Sequence, residues 1–89
     1  MTLNDEIQAL NNILMKYGEA KWKLPLVHSH HDVTRILKVF DGIGSLNDLY
    51  ICNMNGHNID KADEFLINNS MREHMSNIHS GCIDFASKS

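Results

Sequence analysis

The sequence predicts an α+β fold: a small, mostly helical single domain with a short β-hairpin packed on the helices. Three observations point there. Apolar residues recur at helical spacing over three stretches, and an Asn-Gly pair sits between two short β-prone runs. The 89 residues, 43% apolar and 21% charged, suit one folded unit with one modest core rather than a disordered chain. The domain is expected to span 1–89 with a tail that frays from about residue 86. An all-α bundle in which LNDLYIC is irregular is the rival.

Leu3, Ile7, Leu10, Leu14 and Tyr17 follow 4-3-4-3 spacing with polar residues between them, which makes residues 1–17 an amphipathic helix. Thr2 or Asn4 can cap its start, Asp5 and Glu6 suit the positive end of its dipole, and Gly18 stops it. The stretch EAKWKLPLVHS, Glu19–Ser29, holds the single proline and reads as a connection whose Trp22 and Leu24 lie on the core. A second helix is expected from about Asp32 to Asp41, with Val33, Ile36, Leu37 and Phe40 as its stripe. Ser29 or Asp32 would start it and Gly42 would cap it in the left-handed conformation.

Next come LNDLYIC and NMNGHNI. Asn55-Gly56 tolerates the positive φ that a type I′ turn demands at both positions, so a hairpin is predicted there with Leu49 and Ile51 facing the core. Asn47, Asn53 and Asn55 are poor strand residues, so each strand should be at most about five residues long. A last helix opens near Asp60. Its apolar residues fall on two sides: Ala62, Phe65 and Leu66 on one, and Ile67, Met71, Met75, Ile78 and Cys82 on nearly the other. Either one long helix buries both faces, or it breaks near Ser70, where Ser70-x-x-Glu73 forms a capping box.

The start MTLNDEIQAL lacks the basic and apolar blocks of a signal peptide, and no run reaches the roughly 18 apolar residues of a membrane span. A cytoplasmic protein with no membrane partner is the expectation, and Cys52 and Cys82 are then free thiols. Net charge is −3, unevenly placed: Asp41, Asp48, Asp60, Asp63 and Glu64 face only Lys61 between residues 41 and 64. The basic cluster Lys16, Lys21 and Lys23 is too small for the cationic stripe that nucleic acid requires, so no nucleic-acid partner is expected.

Chemistry-bearing residues are present but poorly arranged. The GIGS run follows a helix and precedes a strand, the reverse of a phosphate-binding glycine loop, so Gly42 and Gly44 read as turn glycines. His28, His30 and His31 invite a zinc reading with Cys52 and His57, but the spacing is unlike that of a four-ligand site. His74 and His79 lie about 140° apart around a helix and do not chelate from one face. Cys52 has His57 nearby with no evident group to orient it as a base, and Asp63 and Glu64 diverge by about 100°. The expectation is therefore no enzyme, no cofactor, no metal and no small-molecule substrate; a small metal-binding or redox domain using the histidines and Cys52 is the alternative.

Phe40, Gly42, Gly44, Ser45, Asn47, Asp48, Leu49, Tyr50 and Ile51, followed by Asn55-Gly56 and preceded by Trp22, carry a resemblance. The run resembles a family of small bacterial proteins marked by a phrase close to FGG-M-GS-F-NDL-hydrophobic, then an NG turn and a C-terminal helix. Asp41, Ile43 and Leu46 depart from it where the family has glycine, methionine and phenylalanine. Members are similar to immunity proteins encoded beside polymorphic toxins of interbacterial competition, including Rhs effectors delivered by type VI secretion. The resemblance implies that this chain neutralises a cognate protein toxin, first an ADP-ribosyltransferase and second a nuclease, by occluding its active site as a monomer in a 1:1 complex. A stoichiometric inhibitor needs only a complementary surface, about 800 Å² a side, and acidic charge steers it to a basic cleft. The expected contacts are Tyr50, Met54, His57, Asp63 and Glu64, where acids for steering meet apolar area for anchoring. The competing surface is the Met71, Met75 and Ile78 side of the last helix, used for the toxin or for a homodimer.

Overall fold

The computed structural model describes residues 1–41 and 45–88. Three helices, α1 (Leu3–Lys16), α2 (His30–Val39) and α3 (Lys61–Ser87), are joined by extended segments and by one-turn 3₁₀ helices at Ala20–Trp22, Leu46–Asp48 and Asn53–Asn55. There is no strand among the described residues, so the α+β expectation is corrected to all-α.

The boundaries of α1 follow from its sequence. Thr2 accepts the Asp5 N–H on its hydroxyl while the Asp5 carboxylate accepts the Thr2 N–H, a reciprocal cap that satisfies two donors the helix leaves open. At the other end Gly18 adopts φ 76°, the left-handed conformation that halts a helix. Ser29 occupies the N-cap position of α2, and Asp32 draws in the chain by accepting the His28 N–H at 2.9 Å. The expected Gly42 cap and the Gly42–Gly44 turn lie outside the described residues.

The predicted hairpin fails for a specific reason. Only Gly56 of the Asn55-Gly56 pair takes positive φ, at 88°, whereas a type I′ turn needs it at both. The chain instead closes a single 3₁₀ turn, with the Cys52 carbonyl accepting from the N–H groups of Asn55 and His57, both at 3.1 Å. Backbone near Leu49 and Cys52 is extended, but its partners are asparagine side chains. Asn68 accepts the Ile51 N–H and donates to the Ile51 carbonyl, both at 2.9 Å.

The same device recurs three times. Asn53 pairs with both backbone groups of Ile59, Asn11 with those of Leu24, and Asn4 with those of Val27. A primary amide carries one acceptor and two donors in a plane, so it completes an extended residue much as a neighbouring strand would. On α1 the geometry matches: Asn4 and Asn11 are separated by about 10.5 Å of helix, and Leu24 to Val27 by about 10 Å of extended chain running antiparallel to it. Each tether also seats an apolar side chain, with Leu24, Ile51 and Ile59 buried.

The core joins Ile7, Leu10 and Leu14 of α1 to Val33, Ile36 and Phe40 of α2, Leu46 and the tethered residues, and Met71, Met75, Ile78 and Cys82 of α3. Complete burial of a leucine such as Leu10 contributes about 1.5–3 kcal/mol. Across the α1–α3 contact, Glu6 takes hydrogen bonds from His74 at 2.6 Å and Asn77 at 3.3 Å. Gly81 of α3 packs against Leu3 of α1, where an added Cβ would lie 2.8 Å from the Leu3 Cδ1 and require that side chain to move.

The last helix does not break at Ser70 and does not bury both faces; α3 runs unbroken through the expected fraying point to Ser87. At about 1.5 Å per residue it is about 40 Å long, which accounts for the 43 Å dimension of the molecule. One apolar side of α3 stays outside.

Candidate partner-binding face

Position around α3 decides which apolar residues are covered. Leu66 lies about 140° and Phe65 about 120° from Met71 around the axis, so when Met71, Met75 and Ile78 face the core the first two turns present Phe65 and Leu66 outward. They are 69% and 65% exposed, and Met54 beside the start of α3 is 96% exposed. This settles the competing surface: the Met71, Met75 and Ile78 side is core, with those residues at most 6% exposed.

The loop before α3 is held against it by the Asn68 tether, one turn beyond Glu64. That tether brings Tyr50 beside Glu64, and Asn55 fixes the loop further by donating to the Tyr50 carbonyl at 3.0 Å. Between loop and helix lies a groove of about 420 Å³ lined by Tyr50, Cys52, Asn53, Met54, Lys61 and Glu64. Partial loss of water, reinforced by the neighbouring Glu64 carboxylate and its negative charge, pushes the Tyr50 phenol above its usual range, with Arg72 acting in the opposite direction.

Of the five expected contact residues, the structure brings Tyr50, Met54 and Glu64 to this groove. Asp63, about 100° further round the helix, instead lines a separate polar depression with Lys16, Tyr17, Asn58 and Asp60. His57 is drawn inside, 7% exposed. Its Nδ1 lies 3.1 Å from the Cys52 N–H, and its Nε2 lies 3.1 Å from Glu19 Oε1. Nδ1 is equally close to the Cys52 carbonyl, at 3.1 Å, so the ring is held between the Cys52 backbone and the Glu19 carboxylate.

Glu19 is thus the third group that sequence reasoning did not find beside Cys52 and His57. No local pattern signals it, because 38 residues separate it from His57. The three do not form a nucleophile–base–orienter chain: Nδ1 is occupied by the Cys52 backbone, so the ring tethers the turn to the end of α1. Cys82 is buried, which pushes its thiol above the usual range, and both cysteines are unpaired. No group of three His, Cys, Asp or Glu side chains among the described residues is placed to hold a metal ion. No helix among them is long and apolar enough to cross a membrane.

Phe65 and Leu66 are the residues the expected contact set omitted. The signal was present in the two-sided pattern of α3, one side of which no element among the described residues covers.

A family model described as a domain of unknown function, DUF6966, matches residues 23–60. The match takes in the first extended segment, α2 and the loop that carries Tyr50 and Met54, and it stops before α3. No curated protein matches the chain, and no solved structure does.

Proposed function

We propose that the chain is an immunity protein that binds a cognate interbacterial toxin in the cytoplasm and blocks its active site. The observation that carries this reading is the first turns of α3, where Phe65 and Leu66 lie open to water and, round the helix from them, exposed Met54 borders the groove of Tyr50 and Glu64. Apolar side chains for anchoring and carboxylates for steering are the two components of a fast, tight inhibitor surface. The likeness of the Phe40–Ile51 run to immunity proteins of Rhs and type VI systems supports the same reading. A toxin that acts on an anionic substrate, either an ADP-ribosyltransferase using NAD or a nuclease, presents a basic cleft complementary to this end, and the ADP-ribosyltransferase is the first choice.

The test is to identify the adjoining reading frame and, where it ends in a toxin domain, to co-express that domain with the chain; a neighbour of unrelated metabolic function counts against the proposal. The chain should restore growth and copurify 1:1, and the Phe65→Ser, Leu66→Ser double variant should fold normally yet fail to protect. Unchanged killing in the presence of the parent chain would sink the proposal.

A further inference from the structure

We infer that the groove between the Tyr50 loop and α3 receives an arginine side chain of the protein partner, with Glu64 as its counter-ion; this rests on the reading of the chain as an inhibitor and specifies what it grips. The half-buried Glu64 carboxylate lies close enough to Tyr50 to influence its phenol, and a carboxylate has about four acceptor positions. Lys61 lines the same groove three residues away, yet no ion pair reaches Glu64 among the described residues. A partly buried carboxylate that no cation contacts directly gains from an arriving one that also hydrogen-bonds.

The walls select the kind of cation. Tyr50, 37% exposed, offers an aromatic ring, and Met54 offers a flexible thioether. A guanidinium stacks on such a ring and forks onto a carboxylate, while its aliphatic stem lies against apolar neighbours. At about 420 Å³ the groove has room for one long side chain and retained water. A second copy of this chain is a poorer occupant, because a two-fold contact would set Asp60, Asp63 and Glu64 near the same residues of its mate.

The probe is N-acetyl-arginine amide, titrated into the full chain and followed by two-dimensional NMR. N-acetyl-citrulline amide, which keeps the stem and the planar head but lacks the charge, runs in parallel. Arginine amide should give saturable shifts at Tyr50, Cys52, Met54 and Glu64 in the millimolar range, weakened by salt. Citrulline amide should bind about tenfold more weakly, and Glu64→Gln should lower arginine affinity by a similar factor without changing the melting temperature. Equal binding of the two amides, indifference to Glu64→Gln, shifts centred on Asp60 and Asp63, or no arginine binding at tens of millimolar would each overturn the inference. No toxin enters this titration, so its failure is separable from a failure of co-expression rescue.

Discussion

Replacing Asn68 by leucine should remove about 3 kcal/mol of stability without touching an apolar core contact. Asn68 is 4% exposed and its amide completes both backbone groups of Ile51, a residue with 0% exposure. Its further bond to the Glu64 carbonyl, at 2.8 Å, lies within the helix and leaves no orphan when removed. The Ile51 N–H and C=O, in contrast, have no water to turn to. Each orphaned buried group costs about 1–3 kcal/mol, and the added leucine surface returns about 1–2, which leaves roughly 3. Urea denaturation followed by helical circular dichroism measures the difference. Asn68→Asp separates the amide from its shape: the new carboxylate still accepts the Ile51 N–H but sets a negative oxygen against the Ile51 carbonyl. Its folded pKa should then lie above the ordinary value near 3.9. An acid raised in the folded state stabilises it least when ionised, so the deficit relative to the parent should be smallest below about pH 4 and grow as pH rises through the folded pKa. A loss under about 1 kcal/mol for the leucine variant, or a pH-independent deficit for the aspartate variant, would refute the view that asparagine stands in for a strand here.

Gly56→Ala should cost about 1 kcal/mol from backbone strain alone, since φ is 88° and no atom lies within 4 Å of the added Cβ; urea melts test it. Met75→Ala should cost about 2–5 kcal/mol while Phe65→Ala costs less than about 0.5, a contrast that thermal melts will show if only one side of α3 is core. The Asp5 carboxyl is held below its usual range by the Thr2 N–H and hydroxyl, and that of Asp32 chiefly by the His28 N–H. Acids lowered in the folded state stabilise it above the unfolded pKa, and the gain is lost as pH falls through the folded one; Asp5→Asn and Asp32→Asn should therefore flatten the fall in melting temperature below about pH 4. On the proposed immunity role, Glu64→Lys should slow association with the toxin partner and reduce its salt dependence more than Asp63→Lys, because only Glu64 lines the groove; stopped-flow rates at two ionic strengths decide it.

Local features were written in the sequence because local forces determine them. The 4-3-4-3 stripe with Thr2, Asp5 and Gly18 defined α1, and the Val33, Ile36 and Phe40 spacing placed α2, whereas the β-prone residues around Ile51 suggested a strand that the structure does not form. What completes an extended segment is a different matter. Its hydrogen-bond partners come from 13, 17 or 23 residues away, and no periodicity distinguishes a neighbouring strand from an asparagine on a helix. The hairpin was therefore predicted where tethers exist. The candidate site divided in the same way. Tyr50, Met54 and Glu64 were legible as acid beside apolar area, but the packing of His57 onto Glu19 and the divergence of Asp63 depended on where α1 ends relative to α3. The two-sided pattern of α3 showed that a second apolar face exists. Only the tertiary structure decided that it stays uncovered: α1 and α2 pack on the Met71, Met75 and Ile78 side of α3, and among the described residues no element lies over Phe65 and Leu66.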